Sequence, residues 1–235
     1  MNALLQVRQL TKLYGEQIAL MDVAFDVHEG EVLGIIGPNG SGKTTLLECV
    51  TGLQPADDGQ VRWLGQSLPR GRRRRAMFYV PDGVAPYSEH PVHAVLRFVA
   101  SVYRQPSRTM QDAIEALGLG PVLQKHVGKL SKGYRRRLLL GLGLIAPHRL
   151  LIMDEPFDGL DLRQSREVMT LLRAAAKNGR TLLLSIHQLN DAERICDRLV
   201  LLSAGSVRGS GSLDELRQQS GVIAGNLEDI FLALA

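Results

Sequence analysis

Cysteine is nearly missing from this chain. Cys49 and Cys196 are the only two in 235 residues, and they are not at metal-ligand spacing. That argues against a disulfide scaffold and suits a reducing compartment. Long apolar runs are missing too. The longest, residues 138–146, falls well short of the ~20 residues that cross a bilayer. The opening MNALLQVRQLTKLYG lacks the uninterrupted apolar core of a secretory leader. The chain is therefore expected to form no channel by itself and to serve a membrane, if at all, from its surface. No internal repeat and no sustained heptad pattern is visible. Net charge is small, +4, and concentrated in arginine runs at residues 69–75 (PRGRRRR) and 135–137. That is too little to argue for a nucleic-acid partner. The first run reads as a solvated loop.

What is present reads as alternating strands and helices. Apolar and polar residues alternate up to about residue 34 (Leu5, Val7; Ile18, Leu20; Val23, Phe25, Val27), as in an antiparallel meander. Residues 32–36 are continuously apolar, which suits a strand buried on both faces. A helix-compatible segment runs from Lys43 to about Thr51. Residues 87–145 carry helical patterning, with Ala94, Leu96, Phe98, Val99 and Val102 as one apolar set and Ile114, Leu117 and Leu119 as another. Buried strands are expected at residues 150–153 and 181–186, with a helix between them. Strands separated by helices imply a parallel sheet. A hairpin is expected over residues 198–211, then a helix capped by Ser212 with Glu215 three residues on.

Gly37-Pro38-Asn39-Gly40-Ser41-Gly42-Lys43-Thr44 fits the pattern G-x-x-x-x-G-K-[ST] in full, with a strand before it and a helix after it. The glycines let the backbone close around phosphate, and their N–H groups form an anion nest. The following helix adds its positive end. Lys43 supplies a mobile charge for the outer phosphates, and Thr44 offers a hydroxyl to Mg²⁺. Thr45 completes the set expected to touch nucleotide.

Leu150-Leu151-Ile152-Met153-Asp154-Glu155 is an apolar strand ending in two acids. Ligands sit at strand ends in open parallel sheets. Asp154 is expected to hold Mg²⁺ and Glu155 to orient the attacking water. His187 follows the strand at 181–186 and is expected to hold that water in line.

With these motifs stand Leu130-Ser131-Lys132-Gly133-Tyr134-Arg135-Arg136-Arg137, which resembles the signature LSGGQ-x-R of the ABC ATPases. Asp158-Gly159-Leu160-Asp161 resembles that family's D-loop, and Tyr14 stands where the family carries an aromatic that stacks on adenine. The resemblance spans nearly the whole chain. It implies an α/β fold of the P-loop NTPase type: a RecA-like core, an antiparallel β subdomain (about 1–30 and 59–68) and an inserted helical subdomain (about 87–145). It also implies ATP and Mg²⁺ as cofactors, and two nucleotide-binding subunits that sandwich ATP head to tail. Each ATP would lie between the phosphate loop of one subunit and Ser131, Lys132, Gly133 and Asp161 of the other. The read as a bare helix start is simpler: Ser131 caps it, with residues 135–137 on the wet face. Both readings can hold together.

Three departures from the family pattern stand out. Asp82 replaces the usual glutamine that touches Mg²⁺; an aspartate can bind the metal but is shorter and charged. Lys132 replaces the first signature glycine, and Tyr134 replaces its glutamine. The LSKGYR form and the ending Leu227-Glu228-Asp229-Ile230-Phe231 look like type-2 ABC exporters. The implied partners are a second ATPase subunit, identical or different, and a transmembrane permease at the inner face of the cell membrane. By the same analogy residues 82–97 face that permease, with Tyr87 and Val92 packing there. The alternatives are a soluble single-domain ABC ATPase without a permease, or a P-loop kinase. The kinase would not need LSKG or His187.

Overall fold

The computed structural model describes residues 3–222 and 225–234. The alternating N-terminal segment forms two long antiparallel strands, β1 (Ala3–Tyr14) and β2 (Gln17–His28). The continuous apolar run forms β3 (Val32–Ile36), whose five residues are all buried. The phosphate-loop segment leads into α1 (Lys43–Thr51). Next come β4 (Asp58–Trp63) and β5 (Gln66–Ser67), which extend the first sheet to the order β2-β1-β4-β5. A short helix α2 (Arg73–Ala76) precedes β6 (Met77–Val80). Three helices follow: α3 (Val92–Val102), α4 (Ser107–Ala116) and α5 (Lys132–Ile145), with α5 packed on both others. The chain then returns through β7 (Leu150–Asp154), α6 (Leu162–Lys177), β8 (Thr181–Ile186), α7 (Leu189–Ile195), and the hairpin β9 (Arg198–Ser203) and β10 (Ser206–Gly211). It closes with α8 (Leu213–Ser220) and α9 (Leu227–Leu234).

The second sheet has the order β10-β9-β3-β8-β7-β6 and is parallel apart from the terminal hairpin. Its strands feed two cores by simple alternation. Val32, Ile36, Leu151, Met153, Leu182 and Leu184 join the core on the helical side. Leu33, Ile35, Leu150, Ile152, Leu183 and Val200 join the core shared with β1, β2 and α1. Each such side chain contributes about 1.5–3 kcal/mol when fully buried. These two cores fix the strand ends on which the polar side chains described below are mounted. The phosphate-loop fold is thus a RecA-like sheet with an antiparallel β layer and a helical part. Among the described residues, no helix is long and apolar enough to cross a membrane.

Some expectations need correction. In α3 the buried set is Val92, Val95, Leu96 and Ala100, while Phe98 and Val102 are 51% and 58% exposed. Val92 lies in the helical core and has no surface to offer a partner. The first arginine run is not simply a solvated loop. Arg70 donates to the carbonyls of Gly52 and Leu53 (2.7 and 2.8 Å), and Arg73 to that of Cys49 (2.6 Å). These oxygens close the C-terminal end of α1, where carbonyls lack helical partners and the dipole is negative. In the second run Arg136 is 4% exposed, so it does not lie on a wet face.

Candidate functional site

The phosphate-loop residues bend between β3 and α1 because glycine stands where other residues fail. Gly42 precedes α1 at φ +102°, and a Cβ there would sit 2.7 Å from the Ala19 carbonyl oxygen. A Cβ on Gly37 would collide with the Leu202 carbonyl oxygen. No side chain caps α1, whereas Ser131, Asp161 and Ser212 cap α5, α6 and α8. The first amides of α1 are therefore left for an anion. Lys43 is buried, and its Nζ donates to the Gly37 and Pro38 carbonyls (2.8 and 3.2 Å). The Ser41 hydroxyl is buried with no hydrogen-bond partner among the described residues.

A cleft of about 540 Å³ opens beside this loop. Tyr14, Asn39, Gly40, Gly42, Lys43, Thr44, Thr45, Asp82 and Glu155 line it. Tyr14 stands at the end of β1, and the Lys12 ammonium lies 5.3 Å from its ring centroid. Gly37, Pro38 and Asn39 border an adjoining hollow with His187 and residues of α9.

The carboxylates sit where β7 leaves the sheet. Asp154 is 1% exposed; its Oδ2 accepts from the Thr44 hydroxyl at 2.7 Å, and its Oδ1 accepts from the Ser185 hydroxyl. Glu155 adopts φ +50°, a costly conformation for a non-glycine residue and one that turns its side chain into the cleft. Its amide donates to Ser185 Oγ at 2.9 Å. Its carboxylate lies 3.8 Å from Lys43 Nζ and accepts from His187 Nδ1 at 2.6 Å. Tyr79, on β6, buries its hydroxyl near this cluster; burial first, and the Asp154 charge second, hold its proton on. Burial first and Asp154 second likewise raise the pKa of Glu48 on α1.

A second cleft, of about 400 Å³, lies at the start of α5. Ser131, Lys132, Gly133, Tyr134, Gly159, Asp161 and Gln164 line it. Ser131 Oγ accepts from the Tyr134 amide (3.4 Å), and Asp161 caps α6 in a capping box with Gln164. Lys132 Nζ pairs with Asp158 at 2.8 Å, and this contact holds the Asp158 carboxyl below its ordinary range. The expected residues thus gather in two groups, and no residue of the second cleft lines the first.

The donor set suits a magnesium–triphosphate group. The loop provides free amides, a buried hydroxyl and a lysine for anions, and Thr44 and Asp154 provide hard oxygens for the metal. Sequence reasoning missed Ser185 and Arg136. One signal for Ser185 was there: a lone hydroxyl inside the buried run Leu182-Leu183-Leu184-Ser185-Ile186 needs a partner. Arg136 looked like one of three equivalent arginines. The two cysteines are free, and burial raises both thiol pKa values, that of Cys49 to about 11.

Comparison with known proteins agrees with this fold. The profile of the family described as ABC transporter matches residues 20–158. The chain is 31% identical to the ABC-type transporter ATP-binding protein EcsA of Bacillus subtilis, over 99% of this chain and 96% of that one. It is 34% identical to the zinc transport system ATP-binding protein TroB of Treponema pallidum, over 84% of this chain and 77% of that one. A solved ATP-binding subunit of an ABC transporter superposes with a TM-score of 0.90 at 32% identity, covering 98% of this chain and 99% of that chain.

Proposed function

Because this chain belongs to the ABC transporter family of ATP-binding proteins, we propose that it is the ATP-hydrolysing motor of an exporter whose permease is a separate chain. Family membership carries ATP binding and hydrolysis in general; export, partner and residue roles are our reading. The observation that carries it is Glu155, held between Lys43 and His187 at the mouth of the phosphate cleft. Lys43 and the amides of α1 would hold the outer phosphates. Thr44 and Asp154 would hold Mg²⁺, which offsets charge on the phosphoryl oxygens when bound. Glu155 orients and polarises water, and His187 fixes the direction of that carboxylate. Tyr14 offers a ring for the adenine.

The separate second cleft supports a two-chain site. Ser131 and Gly133 start a helix whose N–H groups and hydroxyl suit a phosphate brought by a neighbour, identical or different. Lys132 and Asp161 would border that phosphate. ATP then joins the two subunits and hydrolysis releases them. The exporter reading rests on the LSKGYR segment and on the Leu227–Leu234 ending rather than on the relatives, one of which bears a zinc-transport name. The docking surface we assign to the permease is the exposed aromatic pair Tyr87 and Phe98, 5.5 Å apart. Such a permease would hold the chain at the inner face of the membrane.

Glu155→Gln tests the assignment. The variant is expected to bind ATP with normal affinity, to lose turnover by about a hundredfold or more, and to run as an ATP-dependent dimer in light scattering. Turnover at the wild-type rate would remove Glu155 from the water-orienting role.

A further inference from the structure

We propose that Asp82 is a positioning residue, the counter-ion of buried Arg136, and not a ligand of the metal. This inference rests on the reading of the cleft as a magnesium–ATP site.

Arg136 sits on α5, three residues past Gly133. Its side chain is 4% exposed, while that of Asp82 is 41% exposed. A guanidinium does not give up its proton, and a charge taken from water needs a partner. Its Nη1 donates to the Asp154 carbonyl at 3.2 Å, and its Nη2 donates to Asp82 Oδ1. The other carboxylates around it have donors of their own. Asp154 accepts from Thr44 and Ser185, Glu155 from His187, and Asp158 from Lys132. Among the described residues, Arg136 is the only side chain that hydrogen-bonds Asp82. Moving Asp82 onto a metal would strip Arg136 of its counter-ion.

In this chain the Asp82 carboxylate balances the buried guanidinium of Arg136. Together they are neutral and join three places: the end of β7, the loop that leads to Tyr87, and the helix that begins at the second cleft. The pair therefore sets how that loop stands against α5 as the cleft fills.

The test uses the full chain with Asp82→Asn, Arg136→Gln and the double variant Asp82→Asn/Arg136→Gln. Thermal unfolding is read without nucleotide. Binding of a fluorescent ATP analogue is read across a Mg²⁺ titration. Each single variant is expected to lower the melting temperature by about 5 °C, because one charge is left unpaired: the buried guanidinium in Asp82→Asn, the partly exposed carboxylate in Arg136→Gln. The double variant is expected to lose less than either single one, since an amide pair carries no charge. The Mg²⁺ concentration for half-maximal binding stays within about twofold of wild type in all three. A rise of about tenfold in Asp82→Asn alone, the size seen on loss of a metal-site group, would make Asp82 a ligand and overturn the proposal. So would a double variant that loses the sum of both single changes. If the wild type bound no analogue, the motor reading would fall, and the unfolding arm would still decide the ion pair.

Discussion

Ser185 places one hydroxyl between two acids. It donates to Asp154 and accepts from the Glu155 amide, so the two acids at the end of β7 share an anchor. Replacing it by alanine leaves both groups buried without that partner, a loss of about 1–3 kcal/mol. Ser185→Ala is therefore expected to melt roughly 3–10 °C lower and to turn over ATP more slowly, with nucleotide affinity kept. Unchanged melting and unchanged rate would show that the anchor does not position Asp154. Residues such as Lys43 and Glu155 were legible in the sequence because their chemistry is local: a loop pattern, a strand ending in acids. Ser185 and Arg136 were not, because their partners stand 18 to 54 residues away, and only the fold brings them together.

The element that carries the phosphate loop, α1, is held at both ends. Its start is left open for an anion, and its last carbonyls are taken by Arg70 and Arg73. Arg73 is half-buried and also reaches the Leu68 carbonyl at 3.1 Å. Arg75 is exposed and makes no hydrogen bond or ion pair among the described residues. Arg73→Ala is thus expected to cost about 1–2 kcal/mol and roughly 3–6 °C of melting temperature, while Arg75→Ala changes little. Equal effects of the two in thermal unfolding would return the whole run to the solvated class. Strand positions were readable because burial on two faces writes a continuous apolar run, as in β3, β7 and β8. The face of α3 was not. Phe98 and Val102 keep helical spacing but point away from the core, and spacing alone does not tell a buried stripe from an exposed one.

At the scale of the molecule, the exposed Tyr87–Phe98 pair is an apolar surface with no cover among the described residues. The paired substitution Tyr87→Ala/Phe98→Ala is expected to leave the isolated chain's ATPase rate and melting temperature near wild type. It is expected to abolish co-purification with the proposed permease from detergent-solubilised membranes. Full retention of the permease would move the docking surface elsewhere.

The two clefts have a further consequence. A molecule that carries the cradle on one part of its surface and the serine-ended helix on another is a plug and a socket that do not meet within itself. If each is completed by a neighbour, then dilution alone silences the chain. Turnover would climb with the square of its concentration while the copies are scarce, and a permease that holds two of them side by side would switch them on merely by keeping them close.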